Sequence, residues 1–281
     1  MIAVVDYQKG NLKSVERGLI AAGGEAFITA DASEIAKADA IVLPGVGAFA
    51  DAAATMCELG QMDVIRERVR AGVPFLGICL GEHLMFEHGV EGAPEGNPAC
   101  GLGLLPDTVV AMPRYDAQGK AFKVPHVGWN TIEIPACGAV AAPPCGGVGE
   151  GAVLSSGGAG GGAARSSAAK RGLFEHGAFP GSAPQAGSEL AFPDSTPQPG
   201  SDLAFACPLF DGIAPGEYFY FTHSYIAPTG SHTIAETTHS TRFTSAVQFG
   251  ECAFGVQFHP EKSSDAGARV LANFVAIAAR G

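Results

Sequence analysis

The sequence predicts an α/β fold: a doubly wound, mainly parallel sheet flanked by helices, with added antiparallel strands in its second half. Short apolar runs alternate with helical patterns from residue 1 to about 135. Aromatic and β-branched runs, which are typical of strands, recur between residues 218 and 258. Hydrophobic residues make up 47% of the 281 residues, which is enough apolar material for a sizeable core.

Each predicted element follows from local spacing. Leu12, Val15 and Leu19 recur at helical intervals before a pair of glycines, and Gly60 divides a second helical region. The first half is predicted to contain strands at residues 2–5, 25–29, 40–43 and 73–78, helices at 11–22, 48–72 and 80–88, and extended segments at 107–111 and 123–134. The second half is predicted to contain strands at 218–225, 233–238, 243–249 and 253–258, and a last amphipathic helix at 264–280.

Composition changes sharply after Pro135. Residues 136–206 consist mainly of Gly, Ala, Ser and Pro, and they contain a near-repeat at 188–192 and 201–205. Such a segment buries too little apolar surface to offset its chain entropy. We therefore expect one domain over residues 1–281, interrupted by a flexible low-complexity insertion at about 136–206. A docking arm built on the two repeats is the alternative.

Charge and cysteine content exclude several classes of protein. With 28 acidic against 17 basic residues the formal charge is −11, which argues against a nucleic-acid partner. No apolar run is long enough to span a membrane, and we expect the first residues to form a buried strand and not a signal peptide. Seven scattered cysteines without a CxxC pair indicate neither a disulfide framework nor a zinc site. We expect a cytoplasmic protein, and the sequence implies no metal or organic cofactor.

The strongest chemical signal is the segment Gly77-Ile-Cys79-Leu-Gly81, which follows an apolar strand and precedes a helix. This is the cysteine counterpart of a nucleophile elbow, in which glycines allow a sharp turn that exposes the nucleophile. The helix N-terminus also favours a thiolate. A buried structural cysteine is the alternative, and we accept it for Cys57, Cys100 and Cys252.

A thiolate nucleophile needs a proton carrier and a group that orients the carrier. His259 and Glu261 are two residues apart in an extended segment, so their side chains are expected to point the same way. A carboxylate beside an imidazole raises its basicity and fixes its tautomer. On its own, His-Pro-Glu is also compatible with a surface turn. Together with Cys79 it predicts a Cys-His-Glu triad.

A third segment, Pro44-Gly45-Val46-Gly47, lies where a strand is predicted to end. Glycines allow a backbone amide to turn toward a developing oxyanion, although a plain strand-to-helix turn explains the segment equally well.

These segments, LPGVGAF, GICLG and GVQFHPEKS together with KVPHVGWN at 123–130, resemble the class I, or triad, glutamine amidotransferases. Within that family they resemble the glutaminase subunits of imidazole glycerol phosphate synthases, as do residues 6–15, 208–213 and 218–225. The resemblance covers nearly all of residues 1–135 and 207–281, and it implies a flavodoxin-like topology.

The resemblance implies a role for each site residue. Cys79 would attack the side-chain amide of glutamine, His259 would carry the proton to the departing ammonia, and Glu261 would orient His259. The amides near Val46 and Leu80 would form the oxyanion hole. The residues that would bind glutamine are Gly45, Gly47, His83, Glu91, Ser224 and Tyr225.

The resemblance also implies a partner. Ammonia would pass to a (β/α)8-barrel cyclase subunit, HisF, in a heterodimer. The cyclase would convert PRFAR, a phosphoribulosyl-formimino aminoimidazole carboxamide ribonucleotide, into imidazole glycerol phosphate and AICAR in histidine biosynthesis. Asn11, His126 and Trp129 would lie near the interface.

One departure from the family concerns the residues after Cys79-Leu80-Gly81. The family usually has methionine and glutamine there, the glutamine helping to bind substrate, whereas this chain has Glu82 and His83. Imidazole lacks the paired donor and acceptor of an amide, so the departure bears on glutamine affinity. The alternatives are a glutaminase subunit of another synthase, such as anthranilate or aminodeoxychorismate synthase, a scaffold without glutaminase activity, and a free-standing cysteine hydrolase.

Overall fold

A computed structural model describes residues 1–134 and 207–280, so the predicted insertion at 136–206 lies outside the described residues. The strands, in chain order, are β1 (Ile2–Val5), β2 (Ala26–Thr29), β3 (Ala40–Gly45), β4 (Phe75–Cys79), β5 (Phe86–Gly89), β6 (Ala99–Cys100), β7 (Leu105–Ala111), β8 (His126–Thr131), β9 (Tyr218–His223), β10 (Tyr225–Ile226), β11 (Thr233–Thr238), β12 (Arg242–Phe249) and β13 (Ala253–Val256). The α-helices are α1 (Leu12–Ala21), α2 (Ala32–Ile35), α3 (Phe49–Glu58), α4 (Gln61–Arg70), α5 (Leu80–His83) and α6 (Ser264–Ala278). Short 3-10 helices cover Pro208–Phe210 and Pro260–Lys262.

The main sheet has seven strands in the order β11-β12-β13-β4-β3-β1-β2. The pairs from β2 through β1, β3 and β4 to β13 are parallel, and the pairs β13-β12 and β12-β11 are antiparallel. The expectation of a mainly parallel sheet with added antiparallel strands in the second half is confirmed. The carboxyl ends of β3, β4 and β13 therefore lie side by side at one edge, which is where open α/β sheets place their sites.

Alternating residues of the central strands face two separate cores. Val4, Val42 and Leu76 pack on one side with residues of α1 and α6, such as Leu19 and Phe274. The neighbouring residues in the same strands pack on the other side with α3 and α4. Because successive strand residues point to opposite faces, continuous apolar runs cover both faces with helices, which is the doubly wound arrangement.

The described residues form two smaller sheets besides the main sheet. One has the order β10-β7-β5-β6, and the other is a two-stranded antiparallel ribbon of β8 and β9. The ribbon corresponds to the extended segments predicted at 123–134 and 218–225. The second of these is interrupted at Ser224, and β10 begins at the next residue. In the described parts of the chain, no helix combines the length and apolarity needed to cross a bilayer.

The helix predicted at residues 80–88 is wrong beyond its first turn. α5 ends at His83, and residues 86–89 form β5, which pairs with β6 and β7. Gly89 lies against the ring of Phe49, so close that a side chain at this position would collide with the ring. Local helical spacing was overridden by strand pairing with residues ten or more positions away. The sequence reasoning also missed α2 and β6.

Candidate active site

The turn at Cys79 has the geometry predicted for a nucleophile elbow. Cys79 ends β4 with a positive φ of 55°, a strained conformation for a residue with a side chain. A Cβ added to Gly77 would lie 2.5 Å from the carbonyl oxygen of Gly81, and one added to Gly81 would collide with the carbonyl oxygen of Leu43. Both glycines are therefore required by the close approach of strand and helix.

The thiol of Cys79 lies in a largely buried position, with 7% of the residue exposed. The side-chain amide nitrogen of Gln257 donates to its sulfur across 3.7 Å. The sulfur lies 3.9 Å from the carbonyl oxygen of Thr222, to which the thiol donates. The sequence reasoning missed Gln257, although it belongs to the segment that contains His259.

His259 and Glu261 lie side by side, as their spacing predicts. Nδ1 of His259 is 2.9 Å from Oε1 of Glu261, and both side chains are 2% exposed. The backbone N–H of His259 donates to Tyr220 in β9, and Ser263 donates its hydroxyl to the carbonyl of His259. These bonds hold the imidazole and the carboxylate in a fixed relation after β13.

The electrostatic environment of His259 favours its charged form. Burial by itself lowers the pKa of His259, but the bonds and charges of Cys79 and Glu261 outweigh burial and raise it to about 9. Since Nδ1 bonds Glu261, the effect of Cys79 falls on Nε2, which is buried.

The Pro44-Gly45-Val46-Gly47 segment lies next to the elbow. Gly45 ends β3 and is the register partner of Cys79 in β4. A Cβ on Gly45 would lie 2.8 Å from Cβ of Leu80 and would collide with the hydroxyl of Tyr7, which is buried and whose pKa burial raises. Gly47 has a φ of 102°, so the chain turns sharply here beside the nucleophile.

A cavity of about 440 Å³ opens at this edge of the sheet. Eight of the predicted site residues line it: Val46, Gly47, Cys79, Leu80, His83, Glu91, Ser224 and Tyr225. Burial, together with the nearby charge of Asp51, raises the pKa of Glu91. The described residues that line the cavity do not include Gly45, His259 or Glu261. The lining residues that sequence reasoning missed are Ala48, Pro125, Thr222 and His223.

His83 and Glu82 are both buried beside the cavity. Nε2 of His83 is 2.6 Å from Oε1 of Gln257 and 3.7 Å from Oε2 of Glu82. Burial lowers the pKa of His83 to about 4 and raises the pKa of Glu82 well above its usual range. Burial therefore favours the neutral form of both groups, which weakens any ion pairing between them.

The three residues expected at a partner interface lie in different environments. Trp129 is 53% exposed and Asn11 is half-buried before α1, whereas His126 is 5% exposed. The placement of His126 at an interface needs correction, because its ring is enclosed by the chain and bonds His223 at 3.0 Å. In β8 alternate residues face opposite sides, so His126 and Trp129, three residues apart, point inward and outward.

The described residues contain no group of three or more His, Cys, Asp or Glu side chains arranged to hold a metal ion.

A cysteine at a strand-to-helix elbow with a buried His-Glu pair beside it defines a thiol-dependent acyl-transfer site on a doubly wound sheet. The chain belongs to the class-I glutamine amidotransferase family, whose model matches residues 3–134 and 193–278.

Among similar proteins are two named imidazole glycerol phosphate synthase subunit HisH. That of Moorella thermoacetica is 34% identical over 275 residues, covering 97% of this chain and 93% of that protein. That of Rhodopirellula baltica is 33% identical over 276 residues, covering 98% and 96%. A crystal structure described as a glutamine amidotransferase is 16% identical, covers 99% of this chain and 100% of its own, and has a TM-score of 0.56. At that identity the structural likeness concerns the fold.

Proposed function

We propose that this chain is the glutaminase subunit of an imidazole glycerol phosphate synthase, which hydrolyses glutamine to glutamate and ammonia for a cyclase subunit. The observation that carries the proposal is the placement of Cys79 at the elbow with the buried His259–Glu261 pair, joined at 2.9 Å, beside it. The two HisH relatives, each above 30% identity over nearly the full chain, support this particular synthase.

In the first step, the sulfur of Cys79 attacks the side-chain carbonyl carbon of glutamine, and the thiol proton passes to Nε2 of His259. The carbonyl oxygen becomes an oxyanion in a tetrahedral intermediate. Glu261 stabilises the imidazolium through Nδ1–H, consistent with the raised pKa of His259. Val46 and Leu80 line the cavity together with Cys79, and their backbone amides would donate to the oxyanion.

In the second step, the bond between carbon and nitrogen breaks, and His259 gives its proton to the departing ammonia. A γ-glutamyl thioester on Cys79 remains. His259 then removes a proton from a water molecule, which attacks the thioester and releases glutamate and the thiol. The proton balance closes, because the same nitrogen of His259 accepts and donates in each half of the reaction.

The amino-acid end of glutamine would lie in the remainder of the cavity. We assign Glu91 to the ammonium group, because its side chain is the one carboxylate among the described lining residues. Ser224 and Tyr225 supply hydroxyl groups, Gly47 leaves room for close approach, and His83 supplies one ring nitrogen. Gly45 does not line the cavity, and its lack of a side chain would leave the space that Tyr7 and Leu80 occupy.

The cyclase, HisF, would dock on the outer face of the β8-β9 ribbon, which we define by Val127, Trp129, Tyr218, Tyr220 and Thr222. Cross-strand partners share a face in an antiparallel pair, and Trp129 pairs with Tyr220. Val127, Trp129 and Tyr218 are each more than half exposed. Thr222 also lines the cavity, so this face adjoins the place where ammonia would form. Asn11 would contribute at the margin, and PRFAR would be the ligand of the cyclase.

The test is glutamate release from glutamine by the purified chain, alone and with the barrel cyclase and its nucleotide ligand. We expect negligible activity alone, strong activation in the complex, and complete loss for Cys79→Ala with the complex still formed. Hydrolysis retained by Cys79→Ala would overturn the assignment of the nucleophile. Inactivity of the wild-type complex would favour the scaffold suggested by His83, and high activity alone would favour a free-standing hydrolase.

A further inference from the structure

The sulfur of Cys79 has a neighbour that the mechanism above does not use. Gln257 is wholly buried between β13 and His259, and its amide nitrogen donates to the sulfur across 3.7 Å. Gln257 does not belong to the described residues that line the cavity. It therefore contacts the nucleophile from inside the protein, where glutamine does not reach.

The orientation of the Gln257 amide is set by its other end. Its oxygen, Oε1, lies 2.6 Å from Nε2 of His83. An amide oxygen can only accept, so Nε2 of His83 must carry the proton. Burial keeps the imidazole neutral, with its pKa at about 4, and a neutral ring has one N–H donor. His83 therefore uses that donor on Gln257.

We propose that His83 and Gln257 form a positioning pair, in which His83 holds the amide of Gln257 with its N–H toward Cys79, stabilising the thiolate for attack on glutamine. The proposal deepens the proposed function, on which it rests. It assigns the unusual His83 a role besides lining the cavity, and it adds Gln257 as a positioning residue.

The reversed amide shows why His83 matters. If Gln257 were rotated by 180° about its last bond, its carbonyl oxygen would face the sulfur. Two electron-rich atoms would then meet in a buried site, and a thiolate would be disfavoured. With a proton on Nε2, His83 binds the oxygen of Gln257 and repels its NH2 group. The ring therefore selects the amide orientation that supports the nucleophile.

The surroundings of Glu82 are compatible with this arrangement. Its carboxyl oxygens make no hydrogen bond within the described residues, and Oε2 lies 3.7 Å from Nε2 of His83. Burial raises the pKa of Glu82, which disfavours the carboxylate that would compete for the N–H of His83. Gln257 remains the closer acceptor, by 2.6 Å against 3.7 Å.

The experiment measures the rate at which iodoacetamide alkylates Cys79 as a function of pH, followed on the Cys79 peptide by mass spectrometry. Peptide resolution is needed because Cys57 and Cys100 are exposed. The whole chain is used, without glutamine or cyclase. The variants are Gln257→Met and His83→Leu, which remove each member of the pair, and His83→Gln, which restores a side-chain donor.

The matched control is Gln248→Met. Gln248 lies in the neighbouring strand β12, where its amide donates to the carbonyl of Gly250. All four variants leave unchanged the other titratable groups that surround the sulfur and cavity, which are Tyr7, Glu82, Glu91, His223, Tyr225, His259 and Glu261. A shift found for Gln257→Met and absent for Gln248→Met therefore reports the contact with Cys79.

We expect the midpoint of alkylation to rise by about one pH unit in Gln257→Met and His83→Leu, because a hydrogen bond to a charged acceptor is lost. At a pH below both midpoints, the rate should fall about tenfold. His83→Gln and Gln248→Met should keep the wild-type midpoint. In glutamine hydrolysis with the cyclase, Gln257→Met should lower kcat and leave KM near wild type, because Gln257 does not line the cavity.

An unchanged midpoint in folded Gln257→Met, or a His83→Leu variant in which only KM changes, would overturn the proposal. If Gln257→Met does not fold, Gln257→Leu also removes the donor, and its midpoint should rise by the same amount. Failure of the proposed function would look different. In that case the alkylation of Cys79 would still change in the Gln257 and His83 variants, whereas the wild-type complex would release no glutamate.

Discussion

Buried histidines at two places in this chain have pKa values that are shifted in opposite directions. After β13, the imidazole of His259 bonds Glu261, and its pKa is raised to about 9. In the β8-β9 ribbon, His126 bonds His223, and the ring of His126 stacks on His239 at 4.2 Å. Burial and the neighbouring imidazoles lower the pKa of His126 to about 4 and that of His223 well below its usual value.

The difference lies in the partners, because burial opposes the charged form of all three rings. His259 has a carboxylate and a thiol as neighbours, and their attraction exceeds the cost of burial. His126 and His223 have each other and a backbone carbonyl. In this chain a buried imidazole is therefore favoured in its charged form where an anion contacts it, and in its neutral form where its neighbours are other imidazoles and a carbonyl.

The largest expected effect comes from removing that anion. In Glu261→Gln, shape and a hydrogen-bond acceptor remain while the charge is lost. We expect the pKa of His259, followed by NMR titration, to fall below 9 toward the value of the ribbon histidines. Glutamine hydrolysis by the complex should fall about a hundredfold or more.

Glu261→Gln should also change the dependence of stability on pH. A raised pKa stabilises the fold fully below pH 6.5, and this contribution is lost between pH 6.5 and about 9. The stability that is lost between pH 6.5 and about 9 should be smaller in Glu261→Gln than in the wild type. Glu251→Gln, an exposed carboxylate, is the control and should change neither quantity. A pKa of His259 still near 9 in Glu261→Gln would contradict the comparison.

A smaller effect is expected on the neutral side of the comparison. His126→Leu fills the space but leaves Nε2 of His223 without its partner at 3.0 Å. Leaving a buried polar atom unpaired costs about 1–3 kcal/mol, so the free energy of unfolding in urea should fall by that amount. His88→Leu, at a half-buried position, serves as the control. Equal losses in both variants would show that the ribbon bond contributes nothing specific.

The smallest effect concerns Glu82, a buried acid without an anion-stabilising partner. Its carboxyl oxygens make no hydrogen bond in the described part of the chain, and its stem lies under Gly255 in β13. Glu82→Met should raise the free energy of unfolding by about 1 kcal/mol at pH 7. Because the pKa of Glu82 is raised, the stability of the wild type falls as the pH rises above 4.5. The difference in free energy of unfolding between Glu82→Met and the wild type should therefore increase with pH above 4.5. A destabilised variant at pH 8 would show that Glu82 is ionised and paired.

The sequence alone determined the features that depend on near neighbours. The elbow followed from Gly77 and Gly81 around Cys79, because the close approach of strand and helix excludes side chains at both glycines. The pairing of His259 with Glu261 followed from a spacing of two residues in an extended segment. Apolar runs in β1, β3 and β4 predicted buried parallel strands, since such strands are covered on both faces.

The tertiary structure decided what depends on residues far apart in the chain. Gln257 contacts Cys79 and His83 across more than 170 residues, and neither contact has a local signal. Residues 86–89 became a strand because β6 and β7 pair with them, and His126 turned inward while Trp129 stayed exposed because the register with β9 fixes each face. Local propensity acts over a few residues, whereas pairing and burial act wherever the fold brings two segments together.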